Sequence, residues 1–234
     1  MSRRPRPRPI VAIDGPAGAG KSTVAKRLAE VVRFVVVDTG ALYRAVALGA
    51  ARAGLAWENS SPVGAYARSL IERNGLSFAR DPEGRARVLL NEEDVTDAIR
   101  APDIAMGASK VSAHPAVRAA LLDLQRHAGR EGGVVLEGRD IGTVVFPDAE
   151  LKFFLTARAE VRAARRLAEL RAKGEQRTFE QTLDEVVRRD AQDTTRAAAP
   201  LRQAPDAVLI DNSDMTIDGT VARMVERVRH WSPA

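Results

Sequence analysis

The chain has 234 residues, of which 45% are hydrophobic and 29% are charged. This composition is typical of a globular protein with a buried core and excludes a disordered chain. Because there is no cysteine, the sequence excludes disulfides, thiolate metal sites and a cysteine nucleophile. The histidines His114, His127 and His230 lack the spacing of a metal-binding motif.

The net charge of +5 is concentrated at the start of the chain, where residues 1–9 hold four of the 36 Lys and Arg side chains. Residues 10–234 carry 32 basic and 31 acidic groups, so they are close to neutral and indicate no broad basic surface for nucleic acid. Alternating Arg and Pro predict that residues 1–9 form a disordered basic tail, with a nucleic-acid-binding arm as the alternative. The apolar run Ile10–Ile13 is too short for a membrane span or a signal-peptide core, so we expect a cytoplasmic protein.

Short apolar runs rich in β-branched residues alternate with helical patterns along the chain, which predicts an α/β fold with a mainly parallel sheet. A helix carrying Val24, Leu28 and Val31 can cover one face of this sheet. The five predicted core strands are Ile10–Ile13, Phe34–Asp38, Val134–Glu137, Leu151–Leu155 and Val208–Asp211.

A complete GxxxxGKS motif follows the first predicted strand and opens a predicted helix. Its glycines let backbone N–H groups turn toward phosphates, and the helix N-terminus adds a field that favours anions. We expect Lys21 to reach the β- and γ-phosphates of a nucleotide and the Ser22 hydroxyl to ligate Mg²⁺. The predicted ATP-binding segment is Gly15, Pro16, Ala17, Gly18, Ala19, Gly20, Lys21, Ser22 and Thr23.

The second predicted strand leads into the segment Asp38–Arg44, at a position where α/β sheets bind ligands. Thr39 is the predicted cap of the following helix, and Arg44 can point toward an anion. The chain lacks the NKxD motif with which GTPases read their base. This absence disfavours a GTP-dependent switch.

Residues 76–96 break the alternation of strands and helices and predict a small antiparallel meander. Its turns are expected at Asp81–Gly84 and at Asn91-Glu92. Because the meander interrupts a parallel sheet, we expect an insert that can move.

Residues 157–177 place Arg158, Arg162, Arg165 and Arg166 on one helical face, with Val161, Ala164 and Ala168 opposite. The alternatives are a solvated charged face and a lid over ATP. Lys173-Gly174 is predicted to end this helix, and a capping box of Thr178 and Gln181 to start the next.

Five motifs, matching in order and spacing from about residue 9 to residue 230, resemble those of bacterial cytidylate kinases. They are Gly15–Ser22, Asp38–Arg44, Asn91–Thr96, Glu137–Asp148 and the stretch Arg189–Asp193 with Arg196. The resemblance implies a kinase domain over residues 10–230 with an adenylate-kinase-like fold. Its parts would be a three-layer P-loop core with a five-stranded parallel sheet, a monophosphate-binding insert at about 57–110 and a short helical lid at about 157–177.

The resemblance also implies residue roles in the transfer of the γ-phosphoryl group of ATP, with Mg²⁺, to CMP or dCMP. Thr39, Arg44 and Arg139 would hold the CMP phosphate, while Ser109, Arg118 and Asp140 would read the cytosine. Arg189 and Asp193 would meet the sugar, and Arg196 the transferring group. Lys21, Arg139, Arg189 and Arg196 are the implied catalytic residues, and the four lid arginines are implied ATP contacts.

The expected partners are therefore ATP and a small nucleotide, with no membrane or nucleic acid, and the expected state is a monomer. Two alternatives stay open on the sequence alone: a related kinase of UMP, AMP or another small acceptor, and a non-catalytic P-loop switch. Glu92 departs from the family's usual Asn-Gly turn, and this departure disfavours a type I′ geometry there.

Overall fold

A computed structural model describes residues 6–82, 86–172 and 174–233. Its strands share the short lengths expected of an α/β protein. They are β1 (Ile10–Asp14), β2 (Val35–Asp38), β3 (Leu76–Arg80), β4 (Ala86–Leu90), β5 (Glu93–Asp94), β6 (Val134–Gly138), β7 (Leu151–Thr156) and β8 (Val208–Asp211).

The α-helices are α1 (Lys21–Val32), α2 (Thr39–Arg52), α3 (Ser60–Glu72), α4 (Pro102–Val111), α5 (Pro115–Gly129), α6 (Ala159–Ala172), α7 (Phe179–Thr195) and α8 (Ile217–Arg229). A 3₁₀ turn spans Ala98–Arg100, and a π-helical turn spans Ile141–Val145. Within the described part of the chain, every helix is too short or too polar to cross a membrane.

The chain divides into two compact units. Unit 1 comprises residues 1–36 and 131–234, and unit 2 comprises residues 37–130. The predicted insert at 57–110 falls inside unit 2. Unit 2 is wider than that insert because α2 packs against α4 and α3 packs against α5, so both flanking helices join its core.

Unit 1 holds a five-stranded sheet in the order β2-β6-β1-β7-β8, except for the last two residues of β2, Val37 and Asp38. The central β1 pairs in parallel with β6 and β7, and β7 pairs in parallel with β8. The predicted fold class and all five predicted core strands are thereby confirmed. On α1, Val24 and Leu28 are buried as expected, whereas Val31 is half exposed and does not cover the sheet.

Unit 2 contains the predicted meander, a three-stranded antiparallel sheet in the order β3-β4-β5. Two residues connect β4 and β5, Asn91 with φ of 50° and Glu92 with φ of 70°. Positive φ at both positions is the type I′ pattern, so the turn adopts the geometry that Glu92 was expected to disfavour. Residues 83 and 84 of the other predicted turn lie outside the described residues.

Two predicted helix starts have different outcomes. The capping box before α7 is confirmed, because Thr178 Oγ1 accepts from the Gln181 N–H and Gln181 Oε1 accepts from the Thr178 N–H, both at 3.2 Å. For α2, Asp38 is the capping residue, and its carboxylate accepts from Ala41 N–H at 3.2 Å. Thr39, the predicted cap, is the buried first residue of the helix, because Asp38 already occupies the capping position.

The end of the predicted tail is held against unit 1. Arg6 pairs with Asp148 and Glu150 at 2.6 and 2.7 Å, and Arg8 lies over the ring of Phe34 at 4.5 Å. The prediction of a disordered tail through residue 9 is therefore wrong for residues 6–9, because acidic and aromatic partners bind their guanidinium groups. Residues 1–5 lie outside the described residues.

Candidate functional site

The glycine-rich loop of unit 1 connects β1 to α1 and needs glycine at defined positions. Gly15 has φ of 150°, and a Cβ there would lie 1.9 Å from the carbonyl oxygen of Leu155. Gly20 has φ of 84° in the left-handed region and directly precedes Lys21, the first residue of α1. The loop therefore has the strand, loop and helix arrangement of a P-loop, with the N-terminus of α1 available to phosphates.

Side chains hold this loop through its carbonyl oxygens. Lys21 Nζ donates to Pro16 O at 2.7 Å, and Asn212 Nδ2 donates to Ala19 O at 2.9 Å. Both Lys21 and Asn212 are buried. The Lys21 ammonium group and the Asn212 amide thus stabilise the conformation of the loop.

The electrostatic surroundings of Lys21 are dominated by burial and by other cations. Burial and the nearby charges of Arg139 and Arg189 hold the pKa of Lys21 well below its usual value. The carboxylates of Glu137 and Asp193 oppose this shift without cancelling it. A cluster with this charge balance is suited to bind an anion.

Ser22 and Glu137 form a pair beside the loop. Ser22 Oγ donates to Glu137 Oε2 at 2.9 Å, and the buried Glu137 lies one residue before the end of β6, opposite Ile13 of β1. Mg²⁺ prefers a few protein oxygens together with waters and substrate phosphates. In the described part of the chain, no group of three or more His, Asp and Glu side chains could hold a metal by itself. The Ser22 hydroxyl and the Glu137 carboxylate therefore suit a Mg²⁺ ion whose other ligands are waters and nucleotide phosphates.

The predicted arginine and aspartate residues of unit 1 converge on Asp193 in α7. Arg139 Nε donates to Asp193 Oδ2 at 2.7 Å, and Arg196 Nη1 lies 3.8 Å from Asp193 Oδ1. Burial alone would raise the pKa of Asp193, yet the charges of Arg139, Arg189 and Arg196 lower it. Arg196 Nη2 also lies 3.7 Å from Asp140 Oδ1. The structure thus brings together these five residues, which the sequence spreads over almost 60 positions.

Arg139 and Asp140 precede a π-helical turn that is anchored by Asp14, the last residue of β1. Asp14 Oδ1 accepts from Ile141 N–H at 2.8 Å, and its Oδ2 accepts from Gly142 N–H at 2.7 Å. Burial raises the pKa of Asp14 to about 6 despite these two hydrogen bonds. Asp14 therefore links the start of the P-loop to the segment that carries two of the predicted site residues.

The four lid arginines occupy different environments, and α6 begins only at Ala159, after Arg158. Arg158 pairs with Asp214 on the surface, Arg165 donates to Asn212 at 3.0 Å, and Arg166 lies near Glu169. Arg162 is buried instead. The alternative of a uniformly solvated charged face is therefore wrong.

The opposite face of α6 is also not the one expected, because Ala164 and Ala168 are exposed. Leu167 and Leu170 are buried in their place. Lys173, at the predicted end of this helix, lies outside the described residues.

In unit 2, the predicted phosphate ligands lie at the start of α2. Arg44 Nη1 lies 3.2 Å from Asp38 Oδ2, and both side chains are about a quarter exposed. Thr39, which follows Asp38 in the sequence, is buried. An arginine partly open to solvent at a helix N-terminus can bind a phosphate.

The predicted base-reading residues of unit 2 are joined through Ser112. Ser112 Oγ donates to Ser109 O at 2.9 Å, and Arg118 Nη1 donates to Ser112 O at 3.3 Å. The Arg118 guanidinium also lies 5.5 Å from the ring centroid of Tyr43. Ser109 and Arg118 therefore share one region of unit 2.

Sequence reasoning missed several of these residues as members of the site. Glu137, Asp38 and Tyr43 fall inside recognised motifs, and their positions at a strand end or in a first helical turn could have identified them. Asp14 directly precedes the P-loop, but its bonds reach across 127 residues. Ser112 gives no sequence signal of its own.

Phosphate groups are the natural counter-ions for the charge that converges on the P-loop of unit 1. A fixed loop, a hydroxyl–carboxylate pair and several partly buried arginines suit the transfer of a phosphoryl group, which depends on positioning and on charge neutralisation. These features define the chain as a P-loop phosphoryl-transfer enzyme.

Comparison with known proteins is more specific. The family model for cytidylate kinase matches residues 11–230. The cytidylate kinase of Syntrophotalea carbinolica is 54% identical over 219 residues, covering 94% of this chain and 91% of that protein. That of Geobacter sulfurreducens is 52% identical over 220 residues, covering 94% and 92%. The chain belongs to the cytidylate kinase family.

Solved structures add nothing to this assignment. The shikimate kinase from Acinetobacter baumannii in complex with shikimate superposes with a TM-score of 0.46 at 15% identity. The superposition covers 95% of this chain and 93% of that chain. Similarity this distant supports no statement about substrate.

Proposed function

We propose that this chain transfers the γ-phosphoryl group of ATP to CMP or dCMP, giving ADP and CDP or dCDP. Family membership supports this activity. The observation that carries the proposal is the convergence of Arg139, Arg189 and Arg196 on Asp193. The charges of Arg139, Arg189 and Asp193 also act on Lys21. In-line transfer needs two phosphates held together and their spreading charge neutralised, and this cluster can do both.

On the donor side, the backbone of residues 15–23 and the Lys21 ammonium would hold the ATP phosphates. Ser22 and Glu137 would hold Mg²⁺, which supplies positive charge to the phosphate oxygens when it is bound. Arg158, Arg165 and Arg166 would approach ATP from the lid.

On the acceptor side, Thr39, Arg44 and Arg139 would bind the CMP phosphate. The acceptor oxygen is already anionic, so the reaction needs no general base. Arg189 and Asp193 would meet the sugar, where the lowered pKa of Asp193 keeps its carboxylate ionised to accept from hydroxyl groups.

For base recognition, Ser109, Arg118 and Asp140 would read the cytosine edge. CMP presents an amino group where UMP presents a carbonyl. An ionised carboxylate accepts a hydrogen bond from the amine and repels the carbonyl oxygen. Asp140 is therefore the proposed discriminating residue, and it is 4% exposed, so a mismatch there would not be relieved by water.

The test compares Asp140→Ala with Arg44→Ala on CMP and UMP. Asp140→Ala should reduce kcat/KM for CMP far more than for UMP, shrinking their ratio by about 10- to 100-fold. Arg44→Ala should lower both alike, because both substrates present the same phosphate. If Asp140 only orients Arg139, both substrates fall together in Asp140→Ala and the ratio survives, which would contradict base reading.

A cytoplasmic location and a monomeric state stay predictions. The closure of residues 57–110 and 157–177 on the substrates is likewise a prediction. Their support is the sequence pattern together with the nature of the reaction, which benefits from excluding water.

A further inference from the structure

Arg162 is the arginine of α6 whose side chain is buried, at 5% exposure. Its Nε donates to Ala157 O at 2.8 Å, and its Nη1 donates to the P-loop carbonyl Ala17 O at 3.1 Å. Its Nη1 and Nη2 also form a two-pronged pair with Asp190 of α7, at 2.9 and 2.5 Å. Every nitrogen of the guanidinium therefore has a protein acceptor.

The P-loop also packs directly on the backbone around Arg162. A Cβ at Gly18 would lie 3.0 Å from Arg162 Cβ and 3.2 Å from Arg162 O. Gly18 has φ of 75°, which an L side chain rarely adopts. The loop and the first turn of α6 therefore fit together only with glycine at this position.

Asp190 lies on the helix that carries the reactive cluster. It neighbours Arg189 in sequence and precedes Asp193 by about one helical turn. The chain of contacts therefore runs from Ala17 in the P-loop through Arg162 to Asp190, and along α7 to the arginine cluster. These contacts connect the loop that holds ATP to the helix that neutralises the transferring group.

We infer that Arg162 is a positioning residue that fixes the P-loop relative to α7 through Ala17 and Asp190, and that it is not a ligand of ATP. The inference rests on the proposed phosphoryl-transfer function and assigns this lid arginine a different role from its neighbours. Moving the guanidinium onto ATP would break a two-pronged ion pair and abandon a buried site with three fixed acceptors. Arg158, Arg165 and Arg166 are the more exposed members of the set.

The decisive variant is Asp190→Asn, because Asp190 belongs to neither substrate set and its side chain is only partly buried. We expect kcat to fall at least tenfold while the dissociation constant for ATP, measured calorimetrically without acceptor, stays within about threefold of wild type. Arg162→Lys should lower kcat similarly. The double variant should be no slower than either single variant, because both changes remove the same Arg162–Asp190 pair. Glu185→Gln is the matched control, because Glu185 lies on α7 and forms a surface pair with Arg177, and it should leave kcat unchanged.

Two results would overturn the inference. If Arg162 binds ATP directly, Arg162→Lys weakens ATP binding at least tenfold and Asp190→Asn leaves kcat unchanged. If the pair is only structural, Asp190→Asn lowers the melting temperature but keeps wild-type kcat below it. Failure of the wild type to phosphorylate CMP in the same assay would instead refute the proposed function, so the two failures are distinguishable.

Discussion

Replacing Asp14 by asparagine should change how the free energy of unfolding depends on pH. Asp14 is fully buried, and burial raises its pKa from 3.8 to about 6, while hydrogen bonds from Gly142 and Ile141 oppose the shift. The folded state therefore binds this proton more tightly than the unfolded chain does. The stability from the neutral carboxyl is fully present below pH 3.8 and is lost as pH rises through about 6.

The size of this effect follows from the pKa difference. At about 1.4 kcal/mol per pKa unit, the full contribution is about 3 kcal/mol, of which about 2 kcal/mol disappears between pH 4 and pH 7.5. Asp14→Asn cannot titrate. The difference in unfolding free energy between wild type and Asp14→Asn, measured by urea denaturation, should therefore fall by about 2 kcal/mol over this range.

A difference that stays constant between pH 4 and pH 7.5 would refute the reasoning. Asp94→Asn is the control, because a hydrogen bond from Thr96 lowers the pKa of Asp94. Its ionised form contributes stability that is lost as pH falls, so the slope for this control should have the opposite sign.

Three further outcomes are expected. Lys21→Ala should lower kcat by about 10³-fold with the fold intact by circular dichroism, because the Lys21 ammonium at the start of α1 neutralises phosphate charge; near-normal turnover would contradict the P-loop role. Glu92→Gly should raise the free energy of unfolding, measured by urea denaturation, by about 1 kcal/mol, because φ of 70° suits glycine, whereas Glu92→Ala should give no such gain. Arg6→Ala should lower the melting temperature through loss of its contacts with Asp148 and Glu150, and an unchanged melting temperature would show that the N-terminal segment is not anchored.

The strands could be predicted from sequence because a parallel sheet is covered on both faces. Strand β1 is buried at every position, so the run Ile10–Ile13 is continuously hydrophobic and easily recognised. The P-loop was equally predictable, since its chemistry requires glycine and lysine at fixed spacing along one short segment.

Properties that depend on distant contacts could not be predicted in this way. Arg162 lies on a helix whose charge pattern indicates a solvated face, yet Asp190 and Ala17, 28 and 145 residues away, draw it into the interior. Asp14 is similar, because its partners are amide groups that no side-chain pattern reveals. The turn at Glu92 shows that tertiary pairing of β4 with β5 can override a local preference.

The most direct test of the account is a coupled ADP-release assay on the wild-type protein with CMP, dCMP, UMP and AMP as acceptors. We expect CMP and dCMP to be phosphorylated with kcat/KM about 100-fold or more above that for UMP and AMP, with little ATP hydrolysis in the absence of acceptor. Comparable turnover of all four monophosphates, or ADP release that does not depend on acceptor, would contradict it.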